Sequence, residues 1–105
     1  MELQEQWNSY NRDLRSVKIA LNNTERESRL NAVTSSQIVP LPPTVPLYRS
    51  VGKAFVRTAR DKVESLLIKE KEDLEKAYKD LSDREEYLTR RMNSNMSNLK
   101  DLTGQ

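Results

Sequence analysis

YRSVGKAFVRTARDKVESLL, residues 48–67, changes character halfway along. Around Gly52 it reads as two short runs rich in β-branched and aromatic residues, and from Thr58 it becomes highly charged with leucines at helical spacing. The first half predicts a β-hairpin over 47–58, LYRSV and KAFVRT turning at either Val51-Gly52 or Gly52-Lys53. Both turns place Tyr48 and Phe55 on one face and Leu47 and Val56 on the other, because strand side chains alternate. A hairpin with apolar groups on both faces is marginal in water. The rest of the sequence offers little else with strand character, so the missing strands are expected from other chains, with Leu47, Tyr48, Val51, Gly52, Phe55 and Val56 forming the assembly element.

Working outward, two long stretches, 1–39 and 53–103, contain no proline or glycine. In the first, Leu3, Trp7, Tyr10, Leu14, Val17 and Leu21 step by four and three, the a/d rhythm of a coiled coil. The rhythm then passes into Thr24, Ser28 and Asn31, and looser packing is expected there. In the second, Leu67, Leu74, Leu81 and Leu88 recur every seventh residue, followed in register by Asn95 and Leu102. Their companions are Lys71, Tyr78, Glu85, Met92 and Leu99, so the seam carries two charges and is marginal. Thr58 with Asp61 predicts an N-cap and a helix over 59–102, about 65 Å long at ~1.5 Å per residue. A rod of that length needs a companion, and the first helix, turning back antiparallel, supplies it. Acid-before-base pairs at i,i+4 (Glu72 with Lys76, Glu75 with Lys79, Asp80 with Arg84, Glu86 with Arg90) are expected to add about 0.2–0.5 kcal/mol each.

The resulting layout is mainly α: one domain over 1–105, a long antiparallel two-helix coiled coil with a single β-hairpin at the helix connection. It comprises a first helix over 1–37, a Pro-rich connection over 38–46, the hairpin over 47–58 and a second helix over 59–102. The connection's Pro40-Leu-Pro-Pro43 reads as a helix stop and spacer in preference to a ligand for a proline-binding domain.

Composition narrows function. The chain has 105 residues, 35% apolar and 32% charged, with 18 basic and 16 acidic side chains. A net charge of +2 gives no general attraction to nucleic acid or anionic membrane, and the basic residues near the hairpin, Arg49, Lys53, Arg57, Arg60 and Lys62, read as a solvated rim. Cysteine and histidine are absent, which removes thiolate chemistry, disulfides, the common zinc ligands and the usual proton-transfer side chain. No Gly-rich phosphate loop, signal peptide or membrane span is recognisable, so the expectation is an intracellular protein with no catalytic residues, metal or cofactor, and no nucleic-acid or membrane partner.

The hairpin residues Tyr48, Val51, Gly52 and Phe55, the single-hairpin layout and the closing helix DREEYLTRRMNSNMSNLKDL, with Tyr87-Leu88 after a charged run, resemble the beta-type subunits of the prefoldin family. The resemblance is strongest over residues 47–102. It implies a subunit of a cytoplasmic, heterohexameric, ATP-independent co-chaperone whose hairpins form joined β-barrels with the coiled coils hanging from them. Its implied partners are other prefoldin subunits, unfolded clients such as actin and tubulin, and the group II cytosolic chaperonin. Family members grip clients at the free arm ends, here Leu3, Trp7, Tyr10, Met92, Met96, Leu99 and Leu102. The flexible thioethers suit variable partners. Counting back from the hairpin sets Trp7 opposite residue 90, with the second helix outlasting the first by a turn or two. A structural tether without client binding is the alternative.

Overall fold

The computed structural model describes residues 2–102, so the ends of the domain expected over 1–105 lie outside the described residues. Its elements, in chain order, are α1 (Glu2–Ile38), β1 (Leu47–Val51), β2 (Ala54–Thr58) and α2 (Arg60–Leu102). The chain divides into two compact units, Met1–Glu25 with Ala77–Gln105 and Arg26–Lys76. In each, a segment of α1 packs antiparallel to a segment of α2, and the second also holds the hairpin.

The first unit owes its core to the heptad leucines. Leu88 is 1% exposed and Val17 is buried, with Leu14, Leu21 and Leu81 half-buried beside them. Tyr78, expected in this seam, is 41% exposed; the small Ala77 turns inward, and the Tyr78 hydroxyl donates to the Glu25 carboxylate at 3.3 Å. The companion row explains the change. In the unit of Arg26–Lys76 the α2 residues on the α1 side beside Leu67 and Leu74 are the half-buried Val63 and the exposed Glu70, whose carboxylate accepts from Asn31. In the other unit they are Ala77, then Glu85, Met92 and Leu99, one heptad position over. A 3.6-residue helix slips by about 20° per heptad, so four heptads from Leu67 to Asn95 accumulate about 80°, nearly the angle of one residue.

The polar end of the first seam is not loose. From Leu3 to Ile38 one row of α1 stays inward without interruption, and Thr24 and Asn31 are among its most buried members. The Thr24 hydroxyl donates to the Ala20 carbonyl at 2.8 Å, within the first unit. In the second unit Asn31 Nδ2 donates to the Leu67 carbonyl at 3.0 Å and to the Glu70 carboxylate at 2.9 Å. Burial of a polar side chain costs little when its donors are satisfied, so a polar row packs as closely as an apolar one.

Two local expectations are corrected. The Ala59 carbonyl accepts the first helical bond of α2, from Val63 N–H at 3.1 Å, while Thr58 ends β2 and its hydroxyl donates to the Val56 carbonyl at 3.0 Å. Thr58 therefore serves the strand and does not cap the helix. Of the four expected i,i+4 pairs only Glu86 with Arg90 closes among the described residues, joined by Arg60 with Glu64 at 3.0 Å, a base-before-acid pair. Long exposed side chains lose rotamer entropy on pairing, and the Coulomb gain in water barely offsets it.

Candidate functional site

The hairpin turns at Gly52-Lys53, with Val51 opposite Ala54, Ser50 opposite Phe55, Arg49 opposite Val56, Tyr48 opposite Arg57 and Leu47 opposite Thr58. Gly52 takes φ +61° and is the sole described residue with positive φ, the pattern of a type II′ turn, whose first central position favours glycine. A Cβ there would meet no neighbouring atom, so backbone conformation alone demands the glycine.

This register gives the two faces different chemistry. One carries Tyr48, Ser50, Phe55 and Arg57; the other carries Leu47, Arg49, Val51, Ala54, Val56 and Thr58. Phe55 is 75% exposed, and Tyr48, Val51 and Val56 are exposed with it; Leu47, at the base, is half-buried. Among the described residues the sheet has two strands, and the outer edges of β1 and β2 carry no strand partner there. The structure thus brings all six expected assembly residues together, and leaves five of them in solvent, with Gly52 among these five at the turn.

The candidate arm-end residues, all in the first unit, divide into two groups. Leu3, Trp7, Tyr10, Met92 and Leu99 are half-buried in the seam, whereas Met96 is exposed and Leu102 is 66% exposed. Asn95 Nδ2 donates to Gln6 Oε1 at 3.3 Å, and a hydrogen bond from the Arg91 guanidinium to Tyr10 raises the arginine above its already high range. These contacts set Trp7 level with the residues just before Asn95, not with residue 90. How far α2 outlasts α1 depends on the chain ends, which lie outside the described residues. Asn95 is 4% exposed, yet its Oδ1 has no hydrogen-bond partner, nor does Trp7 Nε1. Nearby, the exposed Tyr87 ring lies between the guanidinium groups of Arg84 and Arg91, 5.8 and 6.0 Å from its centre.

Among the described residues no helix is long and apolar enough to cross a membrane, and no cluster of three or more carboxylates is arranged to hold a metal. The grooves along the helix pairs are open and lined largely by exposed polar and charged side chains such as Lys71, Glu75, Arg15 and Glu25.

The family model for a prefoldin subunit matches residues 1–105. The chain belongs to the prefoldin family. Its fold is that of the beta type, in which one hairpin joins two long helices: it is similar to the crystal structure of the prefoldin beta subunit from Thermococcus strain KS-1, with a TM-score of 0.84 over 96% of this chain and 89% of that one, at 23% identity. Among curated proteins none matches its sequence.

One residue that the pattern reading placed on the solvated rim has another role in this prefoldin chain. Arg60 reaches from the start of α2 to the carbonyls that end α1. A signal for it existed in the sequence: the last turn of α1 has no basic side chain and no glycine follows, so its terminal carbonyls needed a donor from elsewhere.

Proposed function

We propose that this chain is a subunit of a cytoplasmic, hetero-oligomeric, ATP-independent co-chaperone that captures unfolded polypeptides such as actin and tubulin and passes them to the group II cytosolic chaperonin. The observation that carries the reading is the hairpin: two free strand edges and exposed Tyr48, Val51, Phe55 and Val56 on both faces. Strand addition from neighbouring prefoldin subunits satisfies the edges and covers the apolar side chains in one step. Roughly 25 cal/mol for each Å² of apolar surface covered favours that closure.

Client capture is assigned to the arm ends, with Met96 and Leu102 as the principal contacts because they stand outside the seam, and Leu99 beside them. Leu3, Trp7, Tyr10 and Met92 serve chiefly to finish the helix pair. Deleting residues 96–105 leaves co-elution with partner subunits intact and lowers capture of denatured actin in an aggregation-suppression assay. If the truncated complex suppresses aggregation as well as the full-length one, client binding lies elsewhere, and the chain reduces to a tether or scaffold working through its hairpin.

A further inference from the structure

Arg60 opens α2 but most of its hydrogen bonds are made to the end of α1 and the connection. Its guanidinium donates to the Leu41 carbonyl at 2.5 Å, the Ile38 carbonyl at 3.0 Å and the Val39 carbonyl at 3.2 Å, while Nε pairs with Glu64 at 3.0 Å. A planar fork of five N–H donors suits such a set of acceptors; a lysine ammonium, a single point charge, does not. Two of these carbonyls, Ile38 and Val39, lie at the end of a helix with no basic residue in its last turn, so one cation meets both terminal acceptors and the negative end of the dipole.

The connection it holds has little else to hold it. Residues 39–46 make two backbone turns, Leu41 N–H to the Ile38 carbonyl at 3.0 Å and Val45 N–H to the Pro42 carbonyl at 3.1 Å. Of their side chains only Leu41 is even half-buried. Beneath the far half of the connection lies an open cavity of about 410 Å³, bordered by Pro43, Val45, Leu47, Arg57 and Arg60. Apolar packing therefore does not fix where the connection leaves α1; the guanidinium does.

We infer that Arg60 is a positioning residue for assembly: by tying Ile38, Val39 and Leu41 to the start of α2 it holds the hairpin, in the free subunit, in the orientation its partner strands require. This rests on the assembly role of the hairpin. A hairpin that swings binds only from the fraction of molecules correctly oriented, which lowers apparent affinity by that fraction. Once bound, the partner strands hold the hairpin, so the loss falls on association and spares dissociation.

The test compares full-length wild-type chain, Arg60→Met, Arg60→Lys and Phe55→Asp for binding to immobilised prefoldin partner subunits from the same source. Arg60→Met keeps the apolar stem and removes the fork; association slows about tenfold and dissociation stays within about twofold, at unchanged helicity at the assay temperature. Arg60→Lys recovers only part of the rate. Wild-type association by Arg60→Met or by Arg60→Lys overturns the inference, as does slower association accompanied by lost helicity, which marks general damage. Phe55→Asp separates the two levels: if it too binds normally, the assembly role of the hairpin is wrong, whereas if it fails to bind while Arg60→Met binds normally, only the positioning role falls.

Discussion

The unit of Met1–Glu25 with Ala77–Gln105 closes over Leu88, which is almost wholly buried, whereas the unit of Arg26–Lys76 leaves Phe55, Tyr48, Val51 and Val56 in solvent and buries Asn31 instead. The same chain thus hides an aliphatic side chain where two helices suffice to cover it, and displays aromatic ones where two strands do not. A helix satisfies its own backbone and needs only one companion to cover its apolar row. A strand pair satisfies half of its backbone and needs further strands on both sides. The first unit therefore covers its apolar row within the chain, and the second leaves its strand edges and apolar hairpin side chains uncovered among the described residues.

The largest expected effect comes from attacking the incomplete unit. Phe55→Asp places a charge on the exposed hairpin face and abolishes entry into the hetero-oligomer while leaving the helical signal of the chain unchanged, as size exclusion with partner subunits and circular dichroism will report. Normal co-elution would erase the contrast between the units. Next is Leu88→Ala in the complete unit, which opens a cavity in its core and destabilises the chain by about 2–4 kcal/mol, read as a lowered thermal midpoint with assembly retained at low temperature.

The two buried asparagines sharpen the comparison further. Asn31 Nδ2 has two acceptors at 3.0 and 2.9 Å, while Asn95 has one long bond of 3.3 Å and an unpaired Oδ1. Asn31→Leu removes two hydrogen bonds that join α1 to α2 and costs about 1–3 kcal/mol, whereas Asn95→Leu removes an unsatisfied acceptor and raises stability by about 1 kcal/mol. Thermal melts of both variants decide it, and equal signs would show that hydrogen-bond satisfaction does not distinguish the two seams. The smallest effect is Glu86→Gln, which breaks an exposed ion pair on α2 and shifts stability by no more than about 0.5 kcal/mol in either direction.

Much of this fold is legible in the residues themselves. Leucines at every seventh position, two stretches free of proline and glycine, and one glycine between β-branched runs specify two helices and a hairpin, because helix and strand periods and glycine's positive φ are local properties. The faces of the hairpin also follow from alternation alone. The turn position did not, since Val51-Gly52 and Gly52-Lys53 are both sterically open to the sequence, and pairing selected the second.

What only the tertiary structure decided lies between segments distant in sequence. Tyr78 leaves the seam because slip between the helical and heptad periods accumulates along α2, an effect no single heptad reveals. Asn31 stays inside because acceptors on Leu67 and Glu70 of α2 meet its donor, and a polar residue's burial depends on the partner it finds. Arg60 is one of five basic residues around the hairpin by composition, and becomes the clamp on α1 because the fold brings its guanidinium within 2.5–3.2 Å of three carbonyls some twenty residues earlier in the chain. Sequence periodicity records which face a residue shares with its near neighbours; hydrogen bonds across elements depend on distances that exist only after the chain has turned back on itself.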